Sequence, residues 1–285
     1  MSGSPTVRRR RLAAALRRLR DESGMTADEA ARQVGISKSA LSRVENALVS
    51  VMPPVARALL ELYGVQPADI EPLLQIAREA RKRGWWQSYG DVLPDWFQTY
   101  VGLEAEATEI RTYEPQLVPG LLQTEEYARA VIRAEHPDAS DEEVGRRTEL
   151  RMRRQKLENP PRLWVVLDEA VLRRPVGGSA VMARQLERIH ESASRPGNTI
   201  QVLPFDAGEH GSMGSAFSIL TFPDPSDPGV VYMETRAGSL YLEGQEAREY
   251  TALFNHLVAT AVSQRDSATM LKATAAHIKE GRVAE

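Results

Sequence analysis

The chain of 285 residues has no cysteine and only five histidines. Without a thiol there is no disulfide, no zinc ribbon, no iron–sulfur ligation and no thiol nucleophile, and five scattered histidines leave little room for a metal site. No apolar run approaches the length of a membrane span, about 18 residues. The first twenty residues, MSGSPTVRRRRLAAALRRLR, have neither the apolar stretch nor the small-residue cleavage site of a secretory signal. These absences lead to the expectation of a soluble protein of the cytoplasm. Hydrophobic residues at 42% and charged residues at 26% suffice to bury a core, and the length suits two domains better than one.

Catalytic signatures are equally scarce. No serine sits in a nucleophile elbow, and neither HExxH nor a chelating pair of metal ligands occurs. Gly208, Gly211 and Gly214 are spaced like a phosphate loop. No Lys-Ser/Thr follows them and no strand leads into a helix there, so a hairpin loop fits better. His210 on that loop reads as a solvated turn residue sooner than as a catalytic base. Asp168-Glu169 could form a carboxylate pair or cap the segment that follows, and capping fits better. The expectation is a chain that is not an enzyme, with no cofactor and no metal.

The net charge of −3 conceals a division. Residues 1–83 carry 15 Lys and Arg against 9 Asp and Glu, whereas the rest carries 21 against 30. A basic head on an acidic body suggests a first part that meets a polyanion and a second that stays clear of it.

Within the head, Leu12, Leu16 and Leu19 recur at helical spacing, predicting a helix from about 9 to 22 that ends at Gly24. Thr26 and Glu29 form a capping-box pattern before a short helix whose apolar face, Ala27, Ala30, Ala31 and Val34, is unusually small. Gly35 breaks that helix, and Ser37 caps a third with Ala40, Leu41 and Val44 inward. Pro53 and Pro67 open two more helices. Five short helices make one all-α bundle.

The polar face of the third helix separates this bundle from others. Lys38, Ser39, Ser42 and Arg43 point away from the buried positions, and these side chains can bond base edges in the major groove of double-stranded DNA. Gln33 lies near the turn and is as compatible with a plain solvent-facing role. The run Arg8, Arg9, Arg10 and Arg11 sits at the start of the first helix, where the helix dipole disfavours positive charge. It reads either as a basic arm against phosphate or as a solvated tail. Arg32 and Ser37 are further candidates for phosphate contact.

The segment MTADEAARQVGISKSALSRVEN resembles the helix-turn-helix of the Cro and phage-repressor regulators, the xenobiotic-response-element family. The resemblance rests on Ala31, on Gly35 in the turn, on Ile36 and Ser37 entering the recognition helix, on Leu41 and Val44, and on the closing Glu45-Asn46. Where that family usually has glycine next, this chain has Ala47. The resemblance implies a buried, structural ion pair between Arg20 and Glu45 and a DNA-binding transcriptional regulator.

The remainder opens on an aromatic cluster, Trp85, Trp86, Trp96, Phe97 and Tyr100, which reads as a ligand pocket or as the seed of a second core. Residues 104–112 could continue as helix or strand. Thr124 and Ser140 open two helices, after which short strand-like runs appear at Leu163 to Leu167, Ile200 to Leu203, Phe217 to Phe222, Val230 to Glu234 and Ser239 to Leu242. A helix near 181–194 lies between the first two runs, and two more follow the last. Leu253, Phe254 and Leu257 could be core or dimer contacts, and core fits better. The pattern is an α+β domain with a small sheet.

This part resembles the C-terminal domain of WhiJ-like regulators of actinomycetes, through the run Tyr113 to Thr124 (YEPQLVPGLLQT), the basic helix Arg146 to Gln155, and Gly214-Ser215-Ala216-Phe217 before Phe222, Tyr232 and Glu234. That resemblance implies a regulator often paired with a small partner protein and sometimes antitoxin-like. The expectation is therefore a multi-domain chain: a basic arm over 1–11, a helix-turn-helix domain over 12–83, and an α+β domain for sensing, dimerisation or partner binding over 84–285. It would act as a homodimeric repressor on a two-fold operator, its effector unidentified, with no membrane partner. The alternative is an antitoxin-like interaction protein whose DNA binding serves autoregulation.

Overall fold

The computed structural model describes residues 5–280 apart from 225, 226 and 228. The chain divides into two compact units, Met1–Gln87 and Ser88–Glu285.

The first unit is built from α1 (Pro5–Glu22), α2 (Ala27–Val34), α3 (Lys38–Glu45), α4 (Pro53–Leu62) and α5 (Pro67–Glu79). Helix α1 starts four residues earlier than its leucine spacing predicts, because Thr6 and Val7 are buried ahead of the arginines and anchor another turn. The expected basic arm is thus helical from residue 5 onward, and its residues 1–4 lie outside the described residues. Thr26 and Glu29 complete the capping box of α2, and the Ser37 hydroxyl accepts the Ala40 N–H at the start of α3. Leu12 and Leu16 of α1, Ala30 and Ala31 of α2, and Leu41 and Val44 of α3 meet Leu59, Leu60 and Leu74 in one core.

The second unit opens with α6 (Asp95–Glu104) and β1 (Glu109–Glu114), which divide between them the segment whose pattern left helix and strand open. There follow α7 (Glu125–Glu135), α8 (Asp141–Arg154), β2 (Arg162–Asp168), α9 (Glu169–Arg173), α10 (Ser179–Ala193) and β3 (Thr199–Leu203). The chain then forms β4 (Phe217–Thr221), β5 (Val230–Thr235), β6 (Gly238–Leu242), α11 (Gly244–Thr260) and α12 (Gln264–Lys279). The strands make one mixed sheet in the order β3-β2-β1-β4-β5-β6, with β1, β2 and β3 parallel and the others antiparallel. Fold class is as expected, an all-α unit followed by an α+β unit.

Strand alternation assigns the two faces. Val165 and Leu167 of β2 join Ile200 and Val202 beneath Leu186 of α10 and Leu271 of α12. Val166 and Trp164 lie on the opposite face, with Phe217, Ile219 and the Phe254 and Leu257 of α11. Phe254 and Leu257 are fully buried core residues, and Leu253 packs beside them. Asp168 acts as a cap, its Oδ1 accepting the Ala170 N–H at 2.8 Å. Two expectations for the glycine-rich loop need correction. It joins β3 to β4, which are separated in the sheet by β2 and β1, so it is not a hairpin. His210 is half-buried instead of solvated, with Nε2 3.2 Å from the Tyr113 hydroxyl and Nδ1 accepting the Ser212 N–H.

Candidate nucleic-acid interface

Three local devices set α2 against α3. Gly35 takes a left-handed conformation at φ 78°, which a side chain would strain, and its N–H returns to the carbonyls of α2. Ile36 donates its N–H to Ala31 at 2.9 Å, closing the turn. Ala30 and Ala31 are fully buried and small, so α3 can cross close to α2 while Leu41 and Val44 fill the space below.

With those positions inward, Lys38, Ser39, Ser42 and Arg43 are all exposed on the other side of α3. Lys38 and Arg43 form no ion pair with the described residues, whereas Arg20, Arg32, Arg57 and Arg78 of the same unit each have a carboxylate partner. Ser39 and Ser37 share a hydroxyl contact of 3.1 Å. Arg32 is exposed, and its guanidinium lies 2.9 Å from Asp28, one turn back on α2.

A second constraint fixes the far end of α3. The Arg20 Nε donates to Glu45 Oε1 at 2.7 Å and Nη2 donates to Oε2 at 3.1 Å, a bidentate pair between the ends of α1 and α3. Both side chains are nearly buried, and Nη1 also donates to the Met25 carbonyl at 2.9 Å. The hydrogen bond to Glu45 holds the guanidinium above its ordinary pKa. Beside the pair, burial pushes the Tyr63 phenol up to about 12, with a further contribution from the Glu45 charge.

The arginine run does not form one surface. Consecutive residues on a helix point about 100° apart, so four in a row fan around α1. Arg8 lies 2.9 Å from Glu79 of α5 and is mostly covered. Arg9 lies beside Leu12, Val44, Val49 and Val51, where burial lowers its pKa. Arg10 is half-buried, and Arg11 is exposed. Asn46, which the sequence reading left out of the site, is exposed and donates its side-chain N–H to the Ser42 carbonyl at 2.8 Å. Its spacing of four from Ser42 is the signal that could have placed it on the same face.

Residues 11–73 match the family model described as Helix-turn-helix domain. Residues 97–273 match another, described as Domain of unknown function (DUF5753). No curated protein and no solved structure matches the chain. Among the described residues no helix is long and apolar enough to cross a membrane. The first unit is a helix-turn-helix DNA-binding domain, that of a regulator, and by a match over more than half of its length the chain belongs to the DUF5753 family.

Proposed function

We propose that the protein is a sequence-specific transcriptional repressor that binds a two-fold operator as a homodimer, with α3 in the major groove. The exposed face of α3 carries this reading: Lys38 and Arg43 are cations without ion pairs among the described residues, on a helix capped by Ser37 at its start and tied to Arg20 through Glu45 at its end. Lys38, Ser39, Ser42 and Arg43 read bases, and Arg10, Arg11, Arg32 and Ser37 meet phosphate. Arg8 is mostly covered beside Glu79 and Arg9 packs on the domain itself, so their part in phosphate contact is indirect. One recognition helix reads only a few base pairs, and two half-sites about 34 Å apart supply useful specificity. The likeness of the second unit to WhiJ-like regulators suits this reading and adds a small partner protein as a modulator.

The test is binding of the purified full-length protein to the DNA upstream of its own gene, against scrambled DNA, at two salt concentrations. Tight binding that is selective and falls with salt is the expected result. Weak binding, equal on both DNAs at both salts, would overturn specific recognition of that DNA. Light scattering on the same sample tests the dimer, and a strict monomer at micromolar concentration removes the two-fold operator.

A further inference from the structure

Glu114, Pro119, Gly120 and Leu121, from the run Tyr113 to Thr124 that was singled out in the sequence and is unused by the DNA-binding unit, line part of a cavity of about 40 Å³ in the second unit. Strand pairing sets its floor. Ile110 lies opposite Leu163, Thr112 lies opposite Val165 on one side and Ser218 on the other, and Glu114 follows on the same face of β1. The roof is the turn Pro119–Gly120–Leu121 together with Tyr100 and Glu104, one helical turn apart on α6. One end is therefore aliphatic and the other carries carboxyl and hydroxyl groups.

The roof is held by side-chain amides. Gln155 donates Nε2 to the Gly120 carbonyl at 2.9 Å, Gln123 to the Val118 carbonyl at 2.7 Å, and Gln185 to the Leu122 carbonyl at 2.8 Å. Gln123 and Gln185 are almost wholly buried. Burying polar side chains is costly unless they are bonded, and these three amides each hold a carbonyl of the turn that forms the roof.

The two carboxylates on its walls differ. Glu104 is saturated by Arg154, with two bonds of 2.7 Å. Glu114 receives one hydrogen bond, from the Thr112 hydroxyl at 3.1 Å, and no cation among the described residues pairs with it. Burial pushes its carboxyl up to about 8, a penalty that a bound cation relieves. At neutral pH the carboxyl keeps its proton for want of a partner, and an ammonium group replaces that proton as the donor it faces. The volume admits only about three or four non-hydrogen atoms, which excludes a guanidinium on a chain, and the aliphatic end fits a short alkyl group.

We propose that this cavity binds a small aliphatic primary amine, its ammonium group bonded to Glu114 and the Ser218 hydroxyl and its carbon chain against Ile110, Leu163 and Val165. The proposal stands whether or not the first unit reads an operator. Titration calorimetry of the full-length protein with n-propylammonium, propan-1-ol and propionate tests it. The amine is expected to bind saturably at concentrations up to about 10 mM, about 10- to 100-fold better than the alcohol, because the bond to Glu114 is charge-assisted. Propionate is not expected to bind. In Glu114→Gln the amine loses that advantage; in Leu163→Phe, which fills the aliphatic end and leaves the charges intact, it does not bind. Circular dichroism identifies a variant that fails to fold, and the other variant then decides. No saturable amine binding, equal binding of amine and alcohol, or amine binding unchanged in either folded variant would overturn the proposal.

Discussion

Arg20 and Glu45 are 25 residues apart and form two parallel hydrogen bonds that fasten the end of α1 to the end of α3. The two partners are not equally dependent on each other. Arg20 also lies 2.8 Å from Asp21 and donates to Met25, whereas Glu45 has no other partner among the described residues. Removing Arg20 strands a buried carboxylate. Arg20→Ala should therefore destabilise the first unit by about 3 to 5 kcal/mol, and Glu45→Ala by clearly less. Hydrogen exchange of the α1 and α3 amides measures both, and equal losses would refute the asymmetry.

Ala47 is the one non-glycine residue with positive φ among those described, at 55°. It stands where the resembling family usually has glycine, so the chain keeps the left-handed exit from α3 and bears its strain. An L-residue pays roughly 1 to 2 kcal/mol there, and glycine returns part of this as unfolded-state entropy. Ala47→Gly should stabilise the first unit by about 1 kcal/mol in denaturant melts without altering operator preference. A destabilised variant would mean that the Ala47 methyl packs usefully.

The contrast between the two units explains what could be read in advance. In the first, the two ends of α2 and the start of α3 have local causes in Thr26, Gly35 and Ser37, and α3 is so short that its buried residues determine its exposed ones. What escaped was the start of α1, whose signal is two buried residues ahead of four arginines. The spread of Arg8 to Arg11 around the helix escaped as well, since a run on paper looks like a patch. In the second unit β1 stayed ambiguous because its inward face carries Thr112 and Glu114 where a strand is expected to be apolar. Those residues are also the cavity. The parallel order of β1, β2 and β3 depends on contacts made across whole helices, and no short pattern encodes it.

Arg43 and Arg11 should fail differently. Arg43→Ala is expected to relax specificity at one base position at a cost of about 1 to 3 kcal/mol. Arg11→Ala is expected to weaken all sequences alike and to lower the slope of log affinity against log salt by about one. Arg8→Ala, which breaks the contact with Glu79, should change stability and leave that slope unchanged. Binding to a set of single-base operator variants at several salt concentrations separates the three. An unchanged base preference in Arg43→Ala would remove that residue from the readout.

Glu114 makes the stability of the second unit depend on pH in a direction opposite to that of a paired carboxylate. Its pKa is pushed up to about 8 in the folded state, with desolvation the main cause and the Glu234 charge a lesser one, against about 4.3 when unfolded. The folded chain therefore holds a proton that the unfolded chain releases. The contribution is full below about pH 4 and is lost progressively as the pH rises through 8. By the size of the shift the loss is on the order of 3 to 5 kcal/mol. Glu114→Gln keeps the shape and cannot ionise, so it should melt like the wild type at pH 4 and hold its stability better at pH 8.5. Thermal melts at both pH values measure the difference. Equal loss in both proteins would show that Glu114 keeps an ordinary carboxylate pKa in the folded chain, and that the cavity is wetter than its walls imply.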